Sequence, residues 1–164
     1  MGADDPTQRD AHFLDQAISL ARANVPDGGG PFGAVVVDPA RGMLAWGVNR
    51  VTATCDPTAH AEVEALRAAA HEVGDFSLAG CTLYASCEPC PMCLAASLWA
   101  RVDRVVYAAG RLDAARAGFD DSSFHRLLVT DDSAVWPLAR RQLTRPQAGA
   151  PFEDWTRFAG AVPY

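Results

Sequence analysis

The stretch Ser86-Cys87-Glu88-Pro89-Cys90-Pro91-Met92-Cys93-Leu94 decides how this chain folds. Upstream, Cys81–Ala85 is a short apolar run that reads as a strand. Downstream, residues from about Met92 to Ala100 read as a helix, so the two prolines and three cysteines sit where a strand turns into a helix. Working outward, Val102–Ala108 reads as the next strand and residues from about Thr58 to Val73 as the preceding helix, ended by Gly74. Asp56 or Thr58 is the expected N-cap of that helix, with Pro57 at a first helical position. Further upstream, Gly33–Val37 and Met43–Val48 form a hairpin about Asp38-Pro39-Ala40-Arg41-Gly42. Asn49 to Pro57 is a polar loop.

A first helix is expected from about Asp10 to Ala23, ended by Asp27-Gly28-Gly29-Gly30-Pro31 and preceded by a disordered lead-in over residues 1–9. Helical turns are expected at Asp113–Ala117 and Ser122–Leu128, a short last strand at Ala139–Leu143, and an amphipathic helix at Phe152–Ala159. Asp131-Asp132 is a loop charge pair. The order is a single α/β domain spanning residues 1–164, three-layered α/β/α, with a central mixed five-stranded sheet.

Composition narrows the function. The 164 residues suffice for one core without disulfide staples. A net charge of −6 disfavours generic binding to nucleic-acid phosphates. No run of 18 apolar residues offers a membrane span, and the acidic start lacks the pattern of a signal peptide, which points to the cytoplasm. All 14 basic residues are arginine, which excludes a lysine Schiff base and a Walker A loop. Five cysteines, three of them bunched, read as metal or redox chemistry in such a chain.

Thr58-Ala59-His60-Ala61-Glu62 opens one helix as Cys90-Pro91-Met92-Cys93 opens another. In an α/β sheet such junctions gather at the carboxyl edge of the strands. His60 and Glu62 are about 200° apart on an ideal helix, but in a first turn both can lean toward the open end. One imidazole and two thiolates suit Zn²⁺ and leave a fourth position open for water. Glu62 is placed to relay protons between that water and a substrate nitrogen. His60-Ala61-Glu62, followed after 26 residues by Pro89-Cys90-Pro91-Met92-Cys93, is the zinc-deaminase signature, H-x-E then P-C-x-x-C. A redox CxxC leaves His60 and Glu62 idle; an iron–sulfur run lacks its fourth cysteine; a purely structural zinc would take Cys87 as a fourth ligand. His12, His71 and His125 read as surface or packing residues, and Cys55 and Cys81 as small core residues.

At these residues the chain resembles the cytidine-deaminase-like superfamily and, within it, the bacterial guanine deaminases. The segments that carry the resemblance include Gly29–Val35, Asn49–Thr52, Asp56–Glu62, Ser86–Leu94, Trp99-Ala100-Arg101, Gly118–Ser122 and the aromatic tail with Trp155, Phe158 and Tyr164. The resemblance implies one zinc per chain on His60, Cys90 and Cys93, and catalysis by Glu62 with Asp121. It implies a purine pocket formed by Asn49, Phe32, Ala61, Trp99, Asp121 and Tyr164, with Phe32 stacking on the base and Asn49 bonding the ring. It also implies deamination of guanine to xanthine and ammonia, in a homodimer that exchanges a segment from about residue 145 to 164. Guanosine, ammeline and cytosine are alternative substrates; a tRNA adenosine deaminase shares the zinc motif but fits this charge poorly.

Overall fold

The computed structural model describes residues 6–130 and 132–164. The elements are α1 (Pro6–Asn24), β1 (Gly33–Asp38), β2 (Gly42–Val48), α2 (Val51–Thr54), α3 (Ala61–Val73), β3 (Thr82–Cys87), α4 (Pro91–Trp99), β4 (Arg104–Ala109), α5 (Arg111–Arg116), α6 (Ser122–Leu128), a 3₁₀ turn (Ser133–Val135) and α7 (Ala150–Arg157). The sheet runs β2-β1-β3-β4, with β1 antiparallel to both neighbours and β3 parallel to β4.

Period-two alternation along β1 feeds two cores. Ala34 and Val36 pack with Ala65, Leu66 and Ala69 of α3 and with Leu83, while Val35, Val37 and Tyr84 face Phe13, Leu14 and Leu20 of α1. Buried on both faces, β1 is a continuous apolar run rather than an alternating one. Removing a side chain such as Leu83 from water contributes roughly 1.5–3 kcal/mol. Helices therefore cover both faces of the sheet.

Several expectations are corrected. The sheet has four strands among the described residues, not five. Ala139–Leu143 is irregular and exposed throughout: with Arg140 and Arg141 at its centre, it has no apolar face to bury against β4. The helix expected from Asp10 starts at Pro6, so residues 6–9 are ordered; residues 1–5 and Asp131 lie outside the described residues. The Asn49–Pro57 loop contains the single turn α2, whose C-cap Cys55 takes a left-handed φ of 53° and is exposed rather than in the core. Neither Asp56 nor Thr58 caps α3. Asp56 accepts hydrogen bonds from the Thr58 amide and hydroxyl, both 2.7 Å, and the helix starts later, at Ala61.

Sheet register places the functional loops. Gly33 pairs with Val48, and the Asn49 amide donates to the Phe32 carbonyl at 3.1 Å. The Gly33 amide donates to Ser86 Oγ at 3.1 Å, and Cys87 pairs with Ala109. Phe32, Asn49, Glu88 and Gly110 thus line up along one sheet edge, where β3 and β4 end.

Candidate active site

Two helix N-termini meet at that edge. His60 is the N-cap of α3 and Cys90 the N-cap of α4, both with extended backbone, and neither side chain caps its helix. Pro91 takes the first position of α4, where no amide donor is needed. Freed from capping, the side chains turn to each other. His60 Nδ1, Cys90 Sγ and Cys93 Sγ form a triangle with every edge 3.5 Å. Zinc at ordinary bond lengths to one nitrogen and two sulfurs, in a tetrahedron, requires edges of about 3.6–3.8 Å. The three donors fit that ion, and they are the one such group of His, Cys, Asp and Glu among the described residues.

The electrostatics agree. The hydrogen bond from Cys93, with help from His60, pulls the Cys90 thiol down to about 4, while the same bond and burial push Cys93 up. The two sulfurs lie 3.5 Å apart, and a dication bound between them would take both as thiolates. The Cys90 contact also raises His60 above its ordinary value, against the opposing effect of burial. Cys87 stands apart from the triangle: its thiol donates to the Gly110 carbonyl at 3.7 Å, so it is not a fourth ligand.

A cavity of about 500 Å³ opens beside the triangle. Its walls include His60, Glu62, Asn49, Phe32 and Asp121. Glu62 is only 7% exposed, and burial pushes its carboxyl up, which suits a group that must both take and give a proton. Phe32 meets Phe119 edge to face at 5.0 Å, so two rings form one apolar wall. Asn49 is buried, held by Asn24, whose amide donates to the Asn49 carbonyl at 2.8 Å and to the Gly30 carbonyl at 2.9 Å.

Three expected substrate residues do not line this chain's own cavity. Ala61 packs its methyl into the core beneath α3. Trp99 and Tyr164 lie outside this chain's cavity, 65% and 70% exposed, with ring centroids 6.0 Å apart. Trp99 ends α4, a helix of about two and a half turns whose other end carries the thiols, and its ring cannot reach back along it. The sequence reading also missed Asn24, Glu88 and His125. Glu88 Oε2 accepts the Arg111 amide at 3.1 Å and ties the thiol loop to the start of α5. His125 is no idle surface residue: its Nε2 lies 3.2 Å from Asp121 Oδ2. The one available signal was its i, i+4 spacing from Asp121.

With fold and site in place, comparison with known proteins is direct. Residues 7–109 match the family model of the cytidine and deoxycytidylate deaminase zinc-binding region, and the chain belongs to that family of zinc-dependent hydrolytic deaminases. Within it, the chain is a homologue of guanine deaminase from Bacillus subtilis, 46% identical over 93% of this chain and 97% of that protein. The crystal structure of guanine deaminase from B. subtilis superposes with a TM-score of 0.89 at 45% identity, covering 94% of this chain and 98% of that one. Guanine deaminase from Nitrosomonas europaea gives a TM-score of 0.65 at 34% identity over 74% of this chain and 68% of that one. A tRNA-specific adenosine deaminase of Haemophilus influenzae is 39% identical, with 74% of this chain and 73% of that protein covered. No helix among the described residues is long and apolar enough to cross a membrane.

Proposed function

We propose that this chain is a single catalytic domain that hydrolyses guanine to xanthine and ammonia, acting in cytoplasmic purine breakdown. The observation that carries the reading is a zinc-sized triangle of donors bordering one cavity that also holds a buried carboxyl and a second carboxylate. The homology to guanine deaminase over nearly the whole chain supports the choice of base.

His60, Cys90 and Cys93 would hold one zinc ion, which when bound activates water as a nucleophile at neutral pH. Glu62 takes one proton from the attacking water and delivers it to the ring nitrogen, then takes the second from the hydroxyl newly formed on the ring carbon and delivers it to the departing amino group, which leaves as ammonia as the carbonyl forms. Its burial keeps bulk water from competing for that proton. Asp121 is a carboxylate and only accepts hydrogen bonds, so it matches the N–H donors that guanine presents on its edge. Asn49 offers both an amide donor and an acceptor, and its donor suits the ring carbonyl. Phe32, braced by Phe119, stacks on the flat base.

The working unit is a homodimer that exchanges a C-terminal segment of about residues 145–164. Supporting this, Trp99 and Tyr164 form one aromatic patch outside their own cavity, and Phe152, Trp155 and Phe158 of the tail are exposed apolar rings. Such a patch would close the cavity of a second copy, and the apolar tail would find its cover there. The test of the chemistry is Glu62→Ala: it should keep one zinc per chain while losing guanine turnover by orders of magnitude. Full turnover in that variant would falsify the proton-relay role.

A further inference from the structure

Asp120 and Asp121 stand side by side at the start of α6 and do different things. Asp120 Oδ1 accepts the Ser122 amide at 2.9 Å and so serves the turn. Asp121 occupies the N-cap position, but its side chain makes no capping bond. Its backbone carbonyl already receives the Phe124 and His125 amides, so the first turn of α6 closes without the carboxylate. That carboxylate lines the cavity and meets His125, one turn further along the same helix face. The two side chains are 18% and 22% exposed, and Nε2 of His125 lies 3.2 Å from Oδ2 of Asp121. An ionised carboxylate has no proton to give, so the proton of this bond sits on Nε2 of the imidazole.

An unheld aspartate at a cavity wall samples several rotamers, and only some of them offer its lone pairs to a ligand. A hydrogen bond from the next helical turn fixes one oxygen and leaves the other's lone pairs for a ligand. We propose that His125 is a positioning residue, whose Nε2–H holds the Asp121 carboxylate in its substrate-accepting rotamer. The inference rests on the reading of Asp121 as the acceptor for the base, and adds a residue one turn removed from the cavity.

The test uses zinc-loaded protein with His125→Phe, which keeps a ring and deletes the donor, and His125→Gln, which restores an N–H near the position of Nε2. His125→Phe should lower kcat/KM for guanine about 10- to 100-fold, the rate equivalent of one hydrogen bond to a charged group. Zinc content should not change. His125→Gln should recover most of the loss, and the Phe substitution should cost little more once Asp121→Asn is present. A Phe variant as active as wild type, a Gln variant as poor as Phe, or an undiminished Phe effect beside Asp121→Asn each overturns the proposal. Imidazole ¹⁵N spectra decide the pairing without turnover: Nε2 of His125 should be protonated and should shift in Asp121→Asn, and an unmoved signal overturns it. Wild-type protein that leaves guanine untouched, while the ¹⁵N signal moves as expected, would overturn the substrate reading and leave the positioning bond standing.

Discussion

Gly47 is where strand β2 presses against the helix that carries His60 and Glu62. A methyl group built on Gly47 would lie 2.3 Å from the Ala61 carbonyl oxygen and 2.5 Å from the Ala65 nitrogen. Both are backbone atoms and neither can rotate away. To reach an ordinary contact of 3.4 Å, the start of α3 must move from β2 by about 1 Å. Ala61 is flanked by the metal-ligating histidine and the proton-carrying glutamate, so the displacement falls on both. Metal–ligand distances tolerate only about 0.2 Å, and a misplacement of about 1 Å at a reacting group costs roughly 100-fold in rate. Gly47→Ala should therefore bind zinc more weakly, lose about 100-fold in kcat/KM for guanine, and lose about 1–3 kcal/mol of stability through overpacking. Gly33→Ala is the control. Its methyl would lie 2.4 Å from the Ala17 oxygen and 2.7 Å from the Ala21 nitrogen of α1, a helix that carries no ligand. It should cost similar stability and keep zinc. Metal content, steady-state kinetics and thermal melts on both variants decide the matter. Gly47→Ala with full zinc and wild-type kinetics, or Gly33→Ala losing zinc equally, would refute the reasoning.

Cys87→Ser should retain one zinc per chain while Cys90→Ala retains none, because only the latter breaks the triangle; metal analysis of the purified variants checks this. Asp10 is hydrogen-bonded by Arg104 and by the Tyr84 hydroxyl, each at 2.7 Å, and these bonds hold its carboxyl below the usual value. A depressed carboxylate stabilises the fold fully above the ordinary aspartate range and loses that contribution as pH falls through its own lower value. Asp10→Ala should thus cost about 1–3 kcal/mol near neutrality by stranding the hydroxyl of nearly buried Tyr84, with the difference from wild type shrinking under strong acid in denaturant titrations. Deleting residues 152–164 should damage both self-association and guanine turnover, read by light scattering and kinetics; a dimeric, active deletion variant sinks the exchanged tail.

Much of the site was legible because metal chemistry restricts residue types and spacing. His60, Cys90 and Cys93 had to be a soft-to-borderline donor set at two helix starts, and they are. Asn49 and Phe32 followed from the family resemblance alone; the register of the hairpin sets them side by side. Which way Trp99 faces was not legible, because sequence gives a helix's extent better than its direction: the same helix that brings Cys93 inward carries Trp99 out to the surface, away from its own chain's cavity. Ala139–Leu143 failed as a strand because a short mixed segment contains no information about whether a sheet edge awaits it. His125 stayed hidden because a helical i, i+4 pair looks the same whether it faces water or a cavity; only the fold reveals which.

The most direct measurement is ammonia released from guanine by purified, zinc-loaded protein, with xanthine quantified alongside. The account predicts equal amounts of the two products and a rate far above that of Glu62→Ala. No release from a protein carrying one zinc per chain would contradict it, leaving a zinc deaminase directed at some other amino-heterocycle.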